Sequence, residues 1–166
     1  MKLRVFVLLL IACTSLRAQQ PLHEVLEQYN TRSVPYTTAE QVKMRQLNNT
    51  VVLLDAREPN EFLVSHLPGA VHIGFSNFAP HEVAAVVPHK DTPIVVYCSL
   101  GIRSEEISEK LKKSGYTQVK NLYGGIFEWK NKGFRVVNRY GKATDSVHVF
   151  SKHWGQWLTN GIKITE

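Results

Sequence analysis

Thiols are scarce in this chain. Its 166 residues contain two cysteines, Cys13 and Cys98, and only Cys98 lies beyond the first eighteen residues. One thiol leaves no internal disulfide framework for the folded part. The seven histidines, at positions 23, 66, 72, 81, 89, 148 and 153, show no paired ligand spacing. With a single cysteine beside them, a zinc site is not expected. Long apolar runs are missing too. The unbroken stretch Val5 to Ala12 is far below the roughly 20 residues of a spanning helix. Basic runs interleaved with aromatics are also absent. The formal charge is +6, but Lys2, Arg4 and Arg17 sit in an N-terminal segment without acids, and 17 bases against 14 acids remain, a balance of +3. So mild and dispersed a charge argues against nucleic-acid binding. There are no internal repeats or low-complexity linkers, and the length suits one well-cored domain.

Residues 1–18 have the form of an export signal peptide. Lys2 and Arg4 give the positive start, Val5 to Ala12 the apolar core, and Ala18 a small residue suited to cleavage. The expected location is periplasmic or secreted. The alternative is a lipoprotein anchored through Cys13, because Leu10-Ile11-Ala12-Cys13 resembles a lipidation site. An exported protein with one free thiol either buries that thiol or uses it.

The remainder alternates between short apolar runs and helical patterns. Leu22, Val25, Leu26 and Tyr29 fit one face of a lead-in helix within residues 19–34. Thr37 or Thr38 with Glu40 and Gln41 marks a helix start, and that helix ends at Asn48-Asn49. Val51 to Leu54, Ala70 to Ile73, Ile94 to Tyr97 and Val119 to Leu122 read as strands. Helices are expected from Glu58 to Ser65, Asn77 to Val87, Ser104 to Lys113 and Ile126 to Asn131. Continuous apolar strands alternating with helices define an α/β class, a parallel sheet covered on both faces. Sites in such sheets form outside the carboxyl ends of strands. Asp55 and Cys98 each sit at such an end. After Gly133 the alternation stops, and residues 138–166 read as an extension packing on the domain through Val147, Val149, Phe150, Trp154, Trp157 and Leu158.

The chemistry concentrates in Cys98-Ser99-Leu100-Gly101-Ile102-Arg103-Ser104. A cysteine between a strand and a helix start meets unpaired backbone N–H groups, which favour the thiolate and make the sulfur nucleophilic. The same groups suit an anionic substrate or intermediate. Gly101 allows a tight curl. Arg103 adds a permanent planar cation. The plainer reading is a buried structural cysteine followed by an ordinary turn. His66, ahead of the Pro68-Gly69 turn, reads as a hydrogen-bonded structural residue.

These residues also carry a resemblance. The stretch from Cys98 to Ser104 resembles the active-site loop of the rhodanese family of sulfurtransferases. Leu54-Asp55-Ala56-Arg57-Glu58 with Glu61-Phe62, then His66-Leu67-Pro68-Gly69-Ala70-Val71-His72-Ile73, resembles its upstream signature. Tyr36-Thr37-Thr38-Ala39-Glu40 is similar to its first residues, and Leu122 to Trp129 with Gly133 to its last strand and helix. The likeness spans residues 35–137 in order.

The resemblance implies a three-layer fold with a five-stranded parallel sheet, and ping-pong sulfur transfer. Cys98 would take a sulfane sulfur from thiosulfate or a persulfide, and cyanide or a thiol would accept it. Ser99, Leu100, Gly101, Ile102, Arg103 and Ser104 would bind the sulfur donor. Asp55 and Arg57 would brace the loop or form a structural salt bridge. The resemblance implies no metal and no organic cofactor. Related phosphatases use a wider loop than the four residues between Cys98 and Arg103. The alternative function is a non-catalytic rhodanese-like binding or sulfur-carrier module. The expected partners are small molecules, with no nucleic acid.

Overall fold

The computed structural model describes residues 20–165. The expected export segment 1–18 and Cys13 lie outside the described residues. Helix α1 (Leu22–Tyr29) precedes a two-residue strand β1 (Tyr36–Thr37) and helix α2 (Ala39–Leu47). Thr38 caps α2: its side chain accepts from the Gln41 N–H, and the Gln41 side chain accepts from the Thr38 N–H. Two first-turn donors are thereby satisfied, which fixes the start of the helix.

Strand β2 (Val52–Asp55), helix α3 (Pro59–Val64), strand β3 (Val71–His72) and helix α4 (Pro80–Val86) follow. Proline opens both α3 and α4, where its missing N–H costs nothing. Helix α4 therefore starts at Pro80 rather than at Asn77. Strand β4 (Ile94–Tyr97), helix α5 (Arg103–Lys113), strand β5 (Val119–Leu122) and helix α6 (Gly125–Asn131) complete the alternation.

Five parallel strands form one sheet in the order β1-β5-β4-β2-β3. Every residue of β4 is buried, as a central strand covered on both faces requires. Strand residues alternate between two cores. Leu53, Val95 and Leu122 pack with Val42, Ile126, Phe127 and Trp129 on the α2–α6 side. Leu54, Val96 and Ile94 pack with Val83, Ile107 and Leu111 on the α4–α5 side. Two cores separated by a sheet make the three-layer α/β fold expected from the sequence.

Beyond α6 the chain forms β6 (Val136–Val137), β7 (Ala143–Thr144), β8 (Ser146–His148), a 3-10 turn (Trp154–Trp157) and β9 (Ile162–Ile164). Strands β6 and β7 pair antiparallel, and β8 and β9 pair parallel. Val147, Val149, Trp157 and Leu158 join the α2–α6 core. The Trp157 indole donates to the Gln20 carbonyl at 3.1 Å, which ties the extension to the lead-in segment.

Candidate active site

Parallel pairing of β2 with β4 sets Asp55 beside Tyr97, so the segment after Asp55 and the loop after Tyr97 leave the sheet at one edge. The loop's carbonyls are then drawn away from the thiol. The Cys98 and Ser99 carbonyls accept from the Ile126 and Phe127 N–H groups at 2.9 and 3.2 Å, in the first turn of α6. The Gly101 carbonyl accepts from Asn121 Nδ2 at 2.8 Å and Asn30 Nδ2 at 2.9 Å. With its carbonyls held from behind, the loop turns an amide inward: the Gly101 N–H donates to Cys98 Sγ at 3.1 Å. Gly101 has φ +110°, and a Cβ there would lie 3.3 Å from the Leu122 carbonyl oxygen, so the position suits glycine alone.

Cys98 is buried, 2% exposed. Burial pushes the thiol pKa up, but the Arg103 charge, the Ser104 hydroxyl and amide and the Gly101 amide outweigh it and hold the thiol below its ordinary value. The Ser104 hydroxyl lies 3.5 Å from Sγ and 2.7 Å from Asn121 Oδ1, sharing its one proton between them.

Arg103 reaches back to α3. Its Nη1 donates to Glu61 Oε2 at 2.7 Å, and its Nη2 to Glu61 Oε1 at 2.8 Å and to Ser99 Oγ at 3.1 Å. Ser99 Oγ also donates to Glu61 Oε1 at 3.1 Å. Burial raises the Glu61 pKa, yet Arg103 and Arg57 prevail and hold the carboxyl below the usual range. Glu61 was legible in the sequence only as part of the upstream signature. Its pairing with Arg103, 42 positions away, left no local signal.

Asp55 and Arg57 form a separate, fully buried pair with a 2.6 Å contact. Arg57 Nη2 also donates to the Ser65 carbonyl at 2.6 Å. Burial opposes the Arg57 charge, but Asp55 holds the guanidinium above its ordinary pKa. Neither residue lines the space over Cys98. The two strand ends meet through backbone, with the Ala56 N–H on the Tyr97 carbonyl at 2.8 Å, and through side chains, with Asp55 hydrogen-bonded to Tyr97 and the Arg57 guanidinium 5.7 Å from the Tyr97 ring. His66 stacks on Phe62 at 3.9 Å, and its Nδ1 lies 3.0 Å from the Phe62 carbonyl, the structural role expected of it.

A cavity of about 140 Å3 opens above the sulfur, floored by Cys98, Ser99, Leu100, Ile102 and Arg103. Its outer rim is Phe150 and Trp154 of the extension. The sequence marks both as apolar packing anchors. The return of the chain over the loop depends on tertiary structure that sequence periodicity does not report.

The parallel α/β domain thus presents an acidified thiol at the carboxyl end of β4, facing the Gly101 and Ser104 amides. The model of the Rhodanese-like domain matches residues 38–132, and the chain belongs to that family. It is 33% identical over 130 residues to a tRNA uridine(34) hydroxylase of Enterobacter sp. (strain 638), covering 76% of this chain and 37% of that protein. The chain thus spans little more than a third of the length of that curated relative. It is 36% identical over 80 residues to the uncharacterized protein YqhL of Bacillus subtilis (strain 168), covering 48% of this chain and 61% of that one. Among solved structures, it resembles a thiosulfate sulfurtransferase from Pseudomonas aeruginosa with TM-score 0.61 and 24% identity, over 73% of this chain and 22% of that one. It also resembles a human single-domain sulfurtransferase with TM-score 0.52 and 22% identity, over 60% of this chain and 98% of that one. These two likenesses bear on the fold.

Proposed function

We propose that this chain is a sulfurtransferase that works through a persulfide on Cys98. The observation that carries the reading is the sulfur's own setting: a buried thiol with a depressed pKa, facing the Gly101 amide at 3.1 Å. A thiolate so placed attacks the sulfane sulfur of a donor. A new S–S bond forms to Cys98 while the donor's own bond to that sulfur breaks, and its electron pair leaves with the remainder of the donor. With thiosulfate the leaving group is sulfite. The outer sulfur of the persulfide is then attacked by an acceptor, cyanide or a thiolate, and Cys98 departs as the thiolate. Both steps are nucleophilic displacements at sulfur and need no oxidant.

The chain's residues supply position and charge. The amides of Gly101 and Ser104 hold negative charge on Cys98. Arg103 adds positive potential from the cavity floor, braced by Glu61. Asp55 and Arg57 keep the ends of β2 and β4 in register from behind. Mass measurement of the purified chain after incubation with thiosulfate or an organic persulfide tests the reading. One added sulfur atom is expected on Cys98, with none in Cys98→Ser. A chain that no sulfane donor loads would be a binding module.

A further inference from the structure

The rim over Cys98 is built at a conformational cost. Phe150 has φ +62°, a left-handed conformation that is a genuine outlier for a bulky residue. A hydrogen bond from the Ser151 N–H to the Val149 carbonyl at 2.6 Å closes a three-residue turn across it, the strained form of that turn. The Phe150 N–H donates to His148 Nδ1 at 3.1 Å, which fixes the turn from below. The ring so presented is 58% exposed, so it is not there to fill the core. It lies 5.6 Å from the Arg103 guanidinium and closes one side of the cavity. Trp154 closes the other, held edge-on to Tyr29 at 5.8 Å and tilted against Trp157 at 5.7 Å. Strain stored in an exposed residue at a site mouth points to a role in function.

Charge tells against a dianion in this cavity. Arg103 is the only basic side chain among the described residues of its lining, and Glu61 and Ser99 engage three of its five guanidinium N–H groups, with the Glu61 carboxylate offsetting its charge. A second groove reaches Arg103 from the other side, and it is bordered by Glu105, Glu106 and Glu109. The remaining walls are Leu100, Ile102, Phe150 and Trp154. Apolar walls with few polar groups favour an apolar body.

From these observations, and resting on the sulfurtransferase reading, we infer that the donor is an organic sulfane-sulfur compound with a ring-sized apolar body and at most one negative charge, seated between Phe150 and Trp154. Thiosulfate is the poorer substrate. In the first half-reaction the body packs against the two rings while its sulfane sulfur meets Cys98. The bond from that sulfur to the body breaks, and the body departs with the electron pair as thiolate or sulfinate.

Benzenethiosulfonate and thiosulfate make a matched pair of probes. Both hold the sulfane sulfur on a sulfonyl sulfur, and one carries a phenyl ring where the other carries a second charged oxygen. Their kcat/KM values are measured on the full chain with cyanide as acceptor, in wild type, Phe150→Gly and Trp154→Ala. Glycine removes the ring and also relieves the positive φ, so Phe150→Gly should melt no lower than wild type. The ratio of benzenethiosulfonate to thiosulfate kcat/KM should nonetheless fall by about tenfold. Phe150→Leu, which keeps an apolar body, should restore part of it. If both donors load Cys98 and the ratio is unchanged in Phe150→Gly and Trp154→Ala, the donor class is overturned and the sulfurtransferase reading stands. If neither donor loads Cys98 in wild type, both are overturned. A lower melting temperature for Phe150→Gly with an unchanged ratio would make the ring structural.

Discussion

Glu61 and Arg103 meet as fork on fork, with two parallel N–H···O contacts of 2.7 and 2.8 Å joining the first turn of α3 to the first residue of α5. The carboxylate side is 1% exposed and the guanidinium side 20%. Bidentate geometry makes this a strong pair. It fixes where the cation lies relative to Cys98 and at the same time cancels much of its charge.

Glu61→Gln keeps the shape and removes the negative charge. Arg103 then projects more positive potential onto the sulfur, so the Cys98 thiol should fall further below its ordinary value. The loss of charge-assisted bonds should cost about 2 kcal/mol of stability. Iodoacetamide alkylation of Cys98 across pH reads the first effect, and urea unfolding the second. An alkylation midpoint that does not move would leave Glu61 as a brace only.

The depressed Cys98 thiol also links stability to pH. Because its folded value lies below the unfolded one, the thiolate's contribution is fully present above the ordinary thiol value. It is lost as pH falls through the folded value. Wild-type stability should therefore rise with pH over that window, relative to Cys98→Ala, by about 1.4 kcal/mol for each unit of depression. Parallel curves for the two proteins would show that the thiol is not acidified.

Asp55→Asn should act on the fold. It leaves the Arg57 guanidinium buried without its counter-charge, still donating to the Ser65 carbonyl. Removing one member of a buried pair costs about 3–5 kcal/mol. The urea midpoint should fall accordingly with its slope unchanged. A change under 1 kcal/mol would mean that water reaches Arg57.

Much of this architecture was readable because it is local. Val52 to Leu54 and Ile94 to Tyr97 are unbroken apolar runs, Thr38 and Gln41 form a cap, and Gly101 stands three residues after Cys98. What was not readable is either too short or too distant. Strand β1 has two residues, and a period of two cannot show itself in them. Glu61 finds Arg103 only once the fold brings the start of α3 near the start of α5. Phe150 and Trp154 gain their meaning only once the extension folds back over the loop, and their spacing to Cys98 carries no period. Nothing in the sequence distinguishes Gly125 from an ordinary glycine between a strand and a helix, although it is a contact point of the candidate site.

That contact yields the sharpest prediction. Gly125 opens α6 with φ +53°, and a Cβ on it would lie 2.3 Å from the Cys98 carbonyl oxygen and 2.6 Å from that of Ser99. Only a bare backbone lets the first turn of α6 come close enough for the Ile126 and Phe127 amides to hold those carbonyls. Gly125→Ala must push the loop off α6, weakening both hydrogen bonds and turning the Gly101 amide from the sulfur. Strain and overpacking together should cost about 2–4 kcal/mol, and Cys98 alkylation near neutral pH should slow. Gly115→Ala is the control: φ there is +94°, but nothing lies within 4 Å of the added carbon. It should cost only about 1 kcal/mol from backbone conformation and leave the alkylation rate alone. If Gly125→Ala alkylates at the wild-type rate once folded, α6 supports the fold without setting the reactivity of the thiol.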